Sequence, residues 1–155
     1  MVYGETGCNP PSVDIKQRAM TFWYKTHNSS PKSLPKICQN VLVDCNEGNE
    51  YDSQYIKYIK KSFNDSGLTH LYGTYRDYIQ TQNLNQNINT IKRRTKDQYV
   101  QKWHEDKNAS PKALFYNIIK HNFGFEEYLD ILCFKKRITL TRLRTSNHNL
   151  PIEVG

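Results

Sequence analysis

The stretch "LNQNINTIKRRTKDQYVQKWHED", residues 84–106, constrains this chain more than any other. It holds no Gly or Pro, and Leu84, Ile88, Ile91, Thr95, Tyr99 and Trp103 recur every three or four residues. At 3.6 residues per turn they fall within about a third of the circumference, the pattern of a long amphipathic helix. A helix of that length must be matched by other elements that pack along it, and the rest of the sequence reads as helical too. "VDIKQRAMTFWYKTH" carries Ile15, Ala19, Phe22 and Trp23 at helical spacing, with Ser12 as the expected cap. "KICQNVLVDCN" follows a Ser- and Pro-rich break, with Ser30 or Ser33 as cap and Pro31 or Pro35 tolerated in the first turn, and it ends near Gly48.

"SQYIKYIKKSFNDSGL" has the clearest local signals. Tyr55, Ile56, Ile59 and Phe63 form its stripe, and Asp52 or Ser53 caps it. Gly67 stands where a left-handed C-terminal cap is wanted, with Leu68 placed to touch Phe63. "LTHLYGTYRDYIQTQ" is a short helix or an irregular aromatic connector. Ser110 and Pro111 open a further helix with Leu114, Phe115, Ile118 and Ile119 as its apolar face. "FEEYLDILCF" makes a short helix with Glu126 and Glu127 at its positive end. "KKRITLTRLRTSNH" alternates like a strand at Ile138 and Leu140, but no partner strand is visible, so it too reads as a helix. The expectation is an all-α fold, an irregular bundle of about six or seven helices in one domain over residues 1–155. Residues 1–11 and 149–155 are expected to be poorly ordered ends, and Ile91, Tyr99 and Trp103 to be buried together.

Only 37% of the 155 residues are hydrophobic, and the mean hydropathy is −0.81. Disorder is argued against by the 12% aromatic content, with 11 Tyr that supply core area while keeping the hydroxyl wet. No apolar run is long enough for a transmembrane helix, and "MVYGETGCNPPS" has neither the basic start nor the apolar segment of a secretory signal. Cys8, Cys38, Cys45 and Cys133 form no Cys-x-x-Cys and read as free thiols of an intracellular protein. Cys38 and Cys45 share a helix face and are expected to act as small core residues.

No active site is visible, and neither a cofactor nor a small-molecule ligand is expected. None of the five histidines has metal-ligand spacing. His104, Glu105 and Asp106 are adjacent on a helix and so do not face one another. "GETG" lacks the Gly-Lys-Ser/Thr and the preceding strand of a phosphate loop. What remains is charge. The net value is +7, which favours polyanionic partners. Lys92, Arg93, Arg94 and Lys96 form one cluster on the long helix, where an Arg93–Asp97 pair is expected. Lys135, Lys136, Arg137, Arg142 and Arg144 form a second within "KKRITLTRLR", with no acid among them, and this is the stronger candidate for phosphate contact.

"MVYGETG", the spaced "I.....TFWYK", "DQYVQKWHEDKNASPKALFYNIIK" and "RLRTSNHNLPIEVG" together resemble one family. They are similar to the region downstream of the polymerase in reverse-transcriptase polyproteins of invertebrate non-LTR retrotransposons, over nearly the whole chain. Relatives commonly carry Arg after "GETG", where this chain has Cys8, and they have less proline than "NPP". In relatives the last motif continues into Gly-Arg-Tyr or Gly-Arg-Trp and a cysteine/histidine cluster. The resemblance therefore implies a piece cut short at Gly155, without the polymerase's paired aspartates, that associates with RNA or DNA. The alternatives are a helical protein-interaction module and a folded remnant without function.

Overall fold

The computed structural model describes residues 2–48, 52–73 and 83–145. The fold is all-α. Among the described residues the helices are α1 (Val2–Thr6), α2 (Pro11–His27), α3 (Leu34–Glu47), α4 (Gln54–Asp65), α5 (Thr69–Tyr72), α6 (Leu84–Ala109), α7 (Leu114–Ile119), α8 (Tyr128–Ile131) and α9 (Phe134–Arg144). A 3-10 turn at Pro111–Ala113 precedes α7. None of these helices is long and apolar enough to cross a membrane. The chain divides into two compact units: a central one, Pro11–Gln98, and a terminal one built from Met1–Pro10 and Tyr99–Gly155. Buried residues accordingly form two clusters where the sequence suggests one domain with one core.

The central unit packs α2, α3, α4, α5 and the first part of α6 around Met20, Trp23, Tyr24, Val43, Ile56, Ile59, Phe63, Leu68, Leu71, Ile88 and Ile91. Each fully buried large side chain of this kind stabilises by about 1.5–3 kcal/mol. α4 follows its local signals. Ser53 Oγ accepts from the Ile56 N–H at 3.4 Å, which satisfies one of the free donors of the first turn. At the other end Gly67 takes φ +63°. The Leu68 N–H then donates to Phe63 O and the Gly67 N–H to Asn64 O, both at 2.9 Å, closing the helix, and Phe63 and Leu68 both lie in the buried cluster. Asp52 does not cap. It pairs with Lys57 at 2.6 Å in solvent.

α2 departs from expectation. It starts at Pro11, so Ser12 lies inside its first turn. Val13, Met20, Trp23 and Tyr24 are buried, whereas Ile15 is 61% and Phe22 59% exposed. The face that packs is set by Trp23, whose Nε1 donates to Tyr72 O at 3.1 Å and whose ring stacks on Tyr72 at 5.2 Å. On α3 the buried positions are Gln39 and Val43, while Cys38 is exposed and Cys45 half-buried, so the two thiols are not core. Ser33 precedes α3 without a capping bond, and its hydroxyl meets that of Ser29 at 2.8 Å. Tyr55 is exposed rather than part of the α4 stripe. Residues 74–82, most of the aromatic connector, lie outside the described residues, as does 149–155.

The terminal unit has a smaller apolar cluster, Trp103, Ala113 and Tyr116, with Ile119 and Phe123 partly buried against it. Trp103 meets the Phe123 ring edge-on at 5.6 Å, so Trp103 and Ile91 belong to different cores. Tyr99 is half-buried and touches Phe123 at 5.7 Å. Leu114, Phe115 and Ile118 are exposed, Leu114 by 70%, because α7 is anchored through Tyr116 instead. Nor is the start of the chain loose. Glu5 is only 1% exposed, and the Glu126 N–H donates to Glu5 O at 3.0 Å. Gly4 is required there, since a Cβ would sit 2.6 Å from the Trp103 indole. α9 is a helix as expected, and it buries no residue.

Candidate nucleic-acid interface

The terminal unit sorts its cations into two kinds. Arg144 closes α9 and is folded inward: its Nε donates to Glu5 Oε2 at 3.0 Å and its Nη2 to Glu126 Oε2 at 2.9 Å. Glu5 Oε2 also accepts from the Tyr128 hydroxyl at 2.6 Å, and that hydroxyl meets Thr141 Oγ1 at 2.8 Å. Lys120 pairs with Glu126 and donates to Gly124 O. Lys107 donates to Lys120 O at 2.8 Å and lies 5.0 Å from the Trp103 ring centroid. Burial, with the Glu5 carboxylate as second cause, pushes the Tyr116 phenol far up, and Tyr128 shifts the same way. Glu5 and Glu126 thus pair with Arg144 and Lys120 inside the unit, while Lys107, a third cation, is held by a carbonyl and the Trp103 ring, as suits a brace rather than a reacting centre.

Arg144 therefore leaves the set of phosphate-contact candidates. The premise that the α9 cluster has no acid to neutralise it holds only along the sequence, because Glu5 and Glu126 reach it through the fold. Arg137 is half-buried and gives its Nε to Leu132 O at 2.6 Å. Lys135, Lys136 and Arg142 remain exposed, and none is in an ion pair among the described residues.

In the central unit Lys92, Arg93, Arg94 and Lys96 are all exposed on α6. The expected Arg93–Asp97 pair does not form, and among the described residues none of the four is in an ion pair. The sequence ranking of the two clusters thus loses both of its reasons. α2 adds to this surface. Gln17 Nε2 donates to Lys92 O at 3.0 Å, which ties the two helices side by side. Lys92 then lines a cleft of about 550 Å³ with Arg18 and Lys25, together with Asp14, Gln17, Thr21 and Phe22. Sequence reasoning missed Arg18 and Lys25. They are seven apart, so the helical wheel puts them on one face, but nothing local says that this face borders α6. Lys16, nearby on α2, is tied up differently: it donates to Gln98 Oε1 at 3.2 Å, and burial lowers its pKa against the opposing pull of Asp65.

No group of His, Cys, Asp or Glu among the described residues could hold a metal ion. Compared with protein-family models, with curated proteins and with solved structures, the chain matches nothing.

Proposed function

We propose that this chain is a non-catalytic helical accessory piece of a retroelement reverse-transcriptase polyprotein, and that it holds RNA or DNA weakly through phosphate contacts. One observation carries the reading: Arg18, Lys25, Lys92, Arg93, Arg94 and Lys96 are exposed on α2 and α6 of one unit, free of ion pairs among the described residues. Cations left unpaired on adjacent helices suit a backbone whose charges are closely spaced, and their counterion release gives sequence-independent affinity. The motifs at residues 1–7, 97–120 and 142–155 support the retroelement assignment by resemblance. Lys135, Lys136 and Arg142 offer a second patch on α9.

The test is fluorescence anisotropy with labelled RNA and duplex DNA across a salt series. The expected Kd is on the order of 10⁻⁴ to 10⁻⁶ M at physiological salt, with log K falling by about 0.9 per contact against log salt on duplex. Replacing Arg93, Arg94 and Lys96 by Gln should flatten that slope by about two to three units. Replacing Lys135, Lys136 and Arg142 should flatten it less. No binding by the wild type at low salt refutes the proposal. A second reading, a protein-interaction module, is favoured by α3, where Leu34, Ile37 and Val41 line an exposed apolar face. It predicts association that salt does not weaken.

A further inference from the structure

On the reading that the chain binds nucleic acid, we infer that Phe22 is a base-stacking post, and that the α2 face takes a single strand rather than a duplex. Phe22 lines two cavities of the central unit at once. On one side is the cleft with Arg18, Lys25 and Lys92. Its three cations against Asp14 leave a net charge of +2, a place for phosphates. On the other side is a groove of about 200 Å³ between α2 and α3, walled by Trp23, Pro35, Leu42 and Tyr55. That groove is mainly apolar, with Thr26, Cys38, Gln39 and the Tyr55 hydroxyl as its polar groups.

Gln39 is 8% exposed. Its Nε2 is committed to Trp23 O at 3.3 Å, which leaves Oε1 buried with no hydrogen-bond partner. A buried acceptor left unsatisfied costs free energy, and a ligand N–H removes the cost once the Gln39 amide turns to bring Oε1 to the groove. A phosphate cleft, an exposed aromatic and an apolar slot with one unused acceptor follow one another across α2. That is the order in which a nucleotide presents phosphate, base face and exocyclic amine. Bases in a duplex have both faces stacked, so only an unpaired base can lie on Phe22. The sequence places Phe22 among core positions of α2, and its exposure is what frees it for this role.

The experiment compares a labelled single-stranded RNA, an abasic strand of the same length and a duplex, binding to the full chain and to its variants. Phe22→Ala should weaken binding of the single strand roughly tenfold and leave its salt slope unchanged. Phe22→Tyr should restore it. On the abasic strand and on the duplex Phe22→Ala should change nothing. Arg18→Gln with Lys25→Gln should instead flatten the single-strand slope by about 1.4 units, two contacts at roughly 0.7 each. An exposed side chain makes Phe22→Ala safe for folding, and circular dichroism checks it. If the wild type binds and Phe22→Ala binds the single strand equally well, the stacking post is refuted while phosphate binding stands. If the wild type binds no strand at low salt, both fall.

Discussion

Removing Glu5 should unfold the terminal unit far more readily than its place near the chain start suggests. Its carboxylate is buried and receives the Arg144 guanidinium and the Tyr128 hydroxyl. Truncating one partner of a buried charge pair costs about 3–5 kcal/mol, because the other charge is left uncompensated. Arg144 keeps Glu126 at 2.9 Å, which places Glu5→Ala at the lower end, about 3 kcal/mol. Glu5→Gln keeps an acceptor and loses the charge, so about 2 kcal/mol is expected, the range of hydrogen bonds to charged groups. A domain of this size is stable by about 5–15 kcal/mol, so either loss is easily measured. The chain has two tryptophans, one in each unit. In a Trp23→Phe background, Trp103 fluorescence in a urea titration reports the terminal unit alone. The double variant Glu5→Ala/Arg144→Ala should lose less than the sum of the singles, by about 1–3 kcal/mol of coupling. A loss under about 1 kcal/mol for Glu5→Ala, or strict additivity with Arg144→Ala, would refute the buried pair.

Acid should weaken the central unit through His27, whose pKa is lowered by burial and then by Lys36 at 3.2 Å from Nδ1. The folded state binds fewer protons than the unfolded one as pH drops below 6.5, so stability falls with acidification there, and His27→Gln should flatten the dependence in urea midpoints read across that window. An NMR titration placing the His27 pKa above 6.5 would reverse the sign. Alkali should act on the terminal unit: Tyr128 is pushed up to about 12 by burial, helped by its bond to Glu5. The stability from its neutral phenol is intact below pH 10 and lost as pH rises through about 12. Ultraviolet titration should show Tyr128→Phe lacking that late step. Gly67→Ala should cost about 1–2 kcal/mol by thermal unfolding, since the site has φ +63° and open space for a Cβ; a neutral result would mean the turn relaxes.

What could be read from sequence was what the chain decides locally. α4 is fixed by neighbours a few residues apart, and Ser53, Ile56, Ile59, Phe63 and Gly67 all do what their spacing says. α2 and α7 were legible as helices but not in orientation. α2 carries Val13, Ile15, Met20, Phe22, Trp23 and Tyr24, apolar residues around most of its circumference, so several stripes fit. Contact with Tyr72, 49 residues away from Trp23, selects among them. In the six-residue α7, nearly every residue is apolar, and periodicity has nothing to discriminate. The Glu5–Arg144 pair spans 139 residues, beyond any local pattern. The candidate interface shows the same division. Lys92 to Lys96 were visible as a run, while Arg18 and Lys25 became part of their surface only when Gln17 met the Lys92 carbonyl.

The charge balance of the chain takes its meaning from this sorting. A net charge of +7 counts every cation equally, but Lys107, Lys120 and Arg144 are drawn into the terminal unit, where they complete an interior that apolar residues alone leave small. Such an interior gains less per group than a hydrophobic one, because each charge must be stripped of water before it is paired. In return it is selective. Glu126 reaches both Lys120 and Arg144, and Glu5 reaches Arg144 only with the first residues of the chain laid against Gly124–Glu126. The pairing therefore fixes one register of the N-terminal segment, which an apolar contact would leave free to slide. The same step removes Arg144 from the surface. Of the two sequence clusters, the one on α9 is depleted by the fold that it helps to build, while the one on α6 gains Arg18 and Lys25 from a neighbouring helix. On the proposed function, affinity for a polyanion should follow the exposed, unpaired cations rather than the local density of Lys and Arg along the chain.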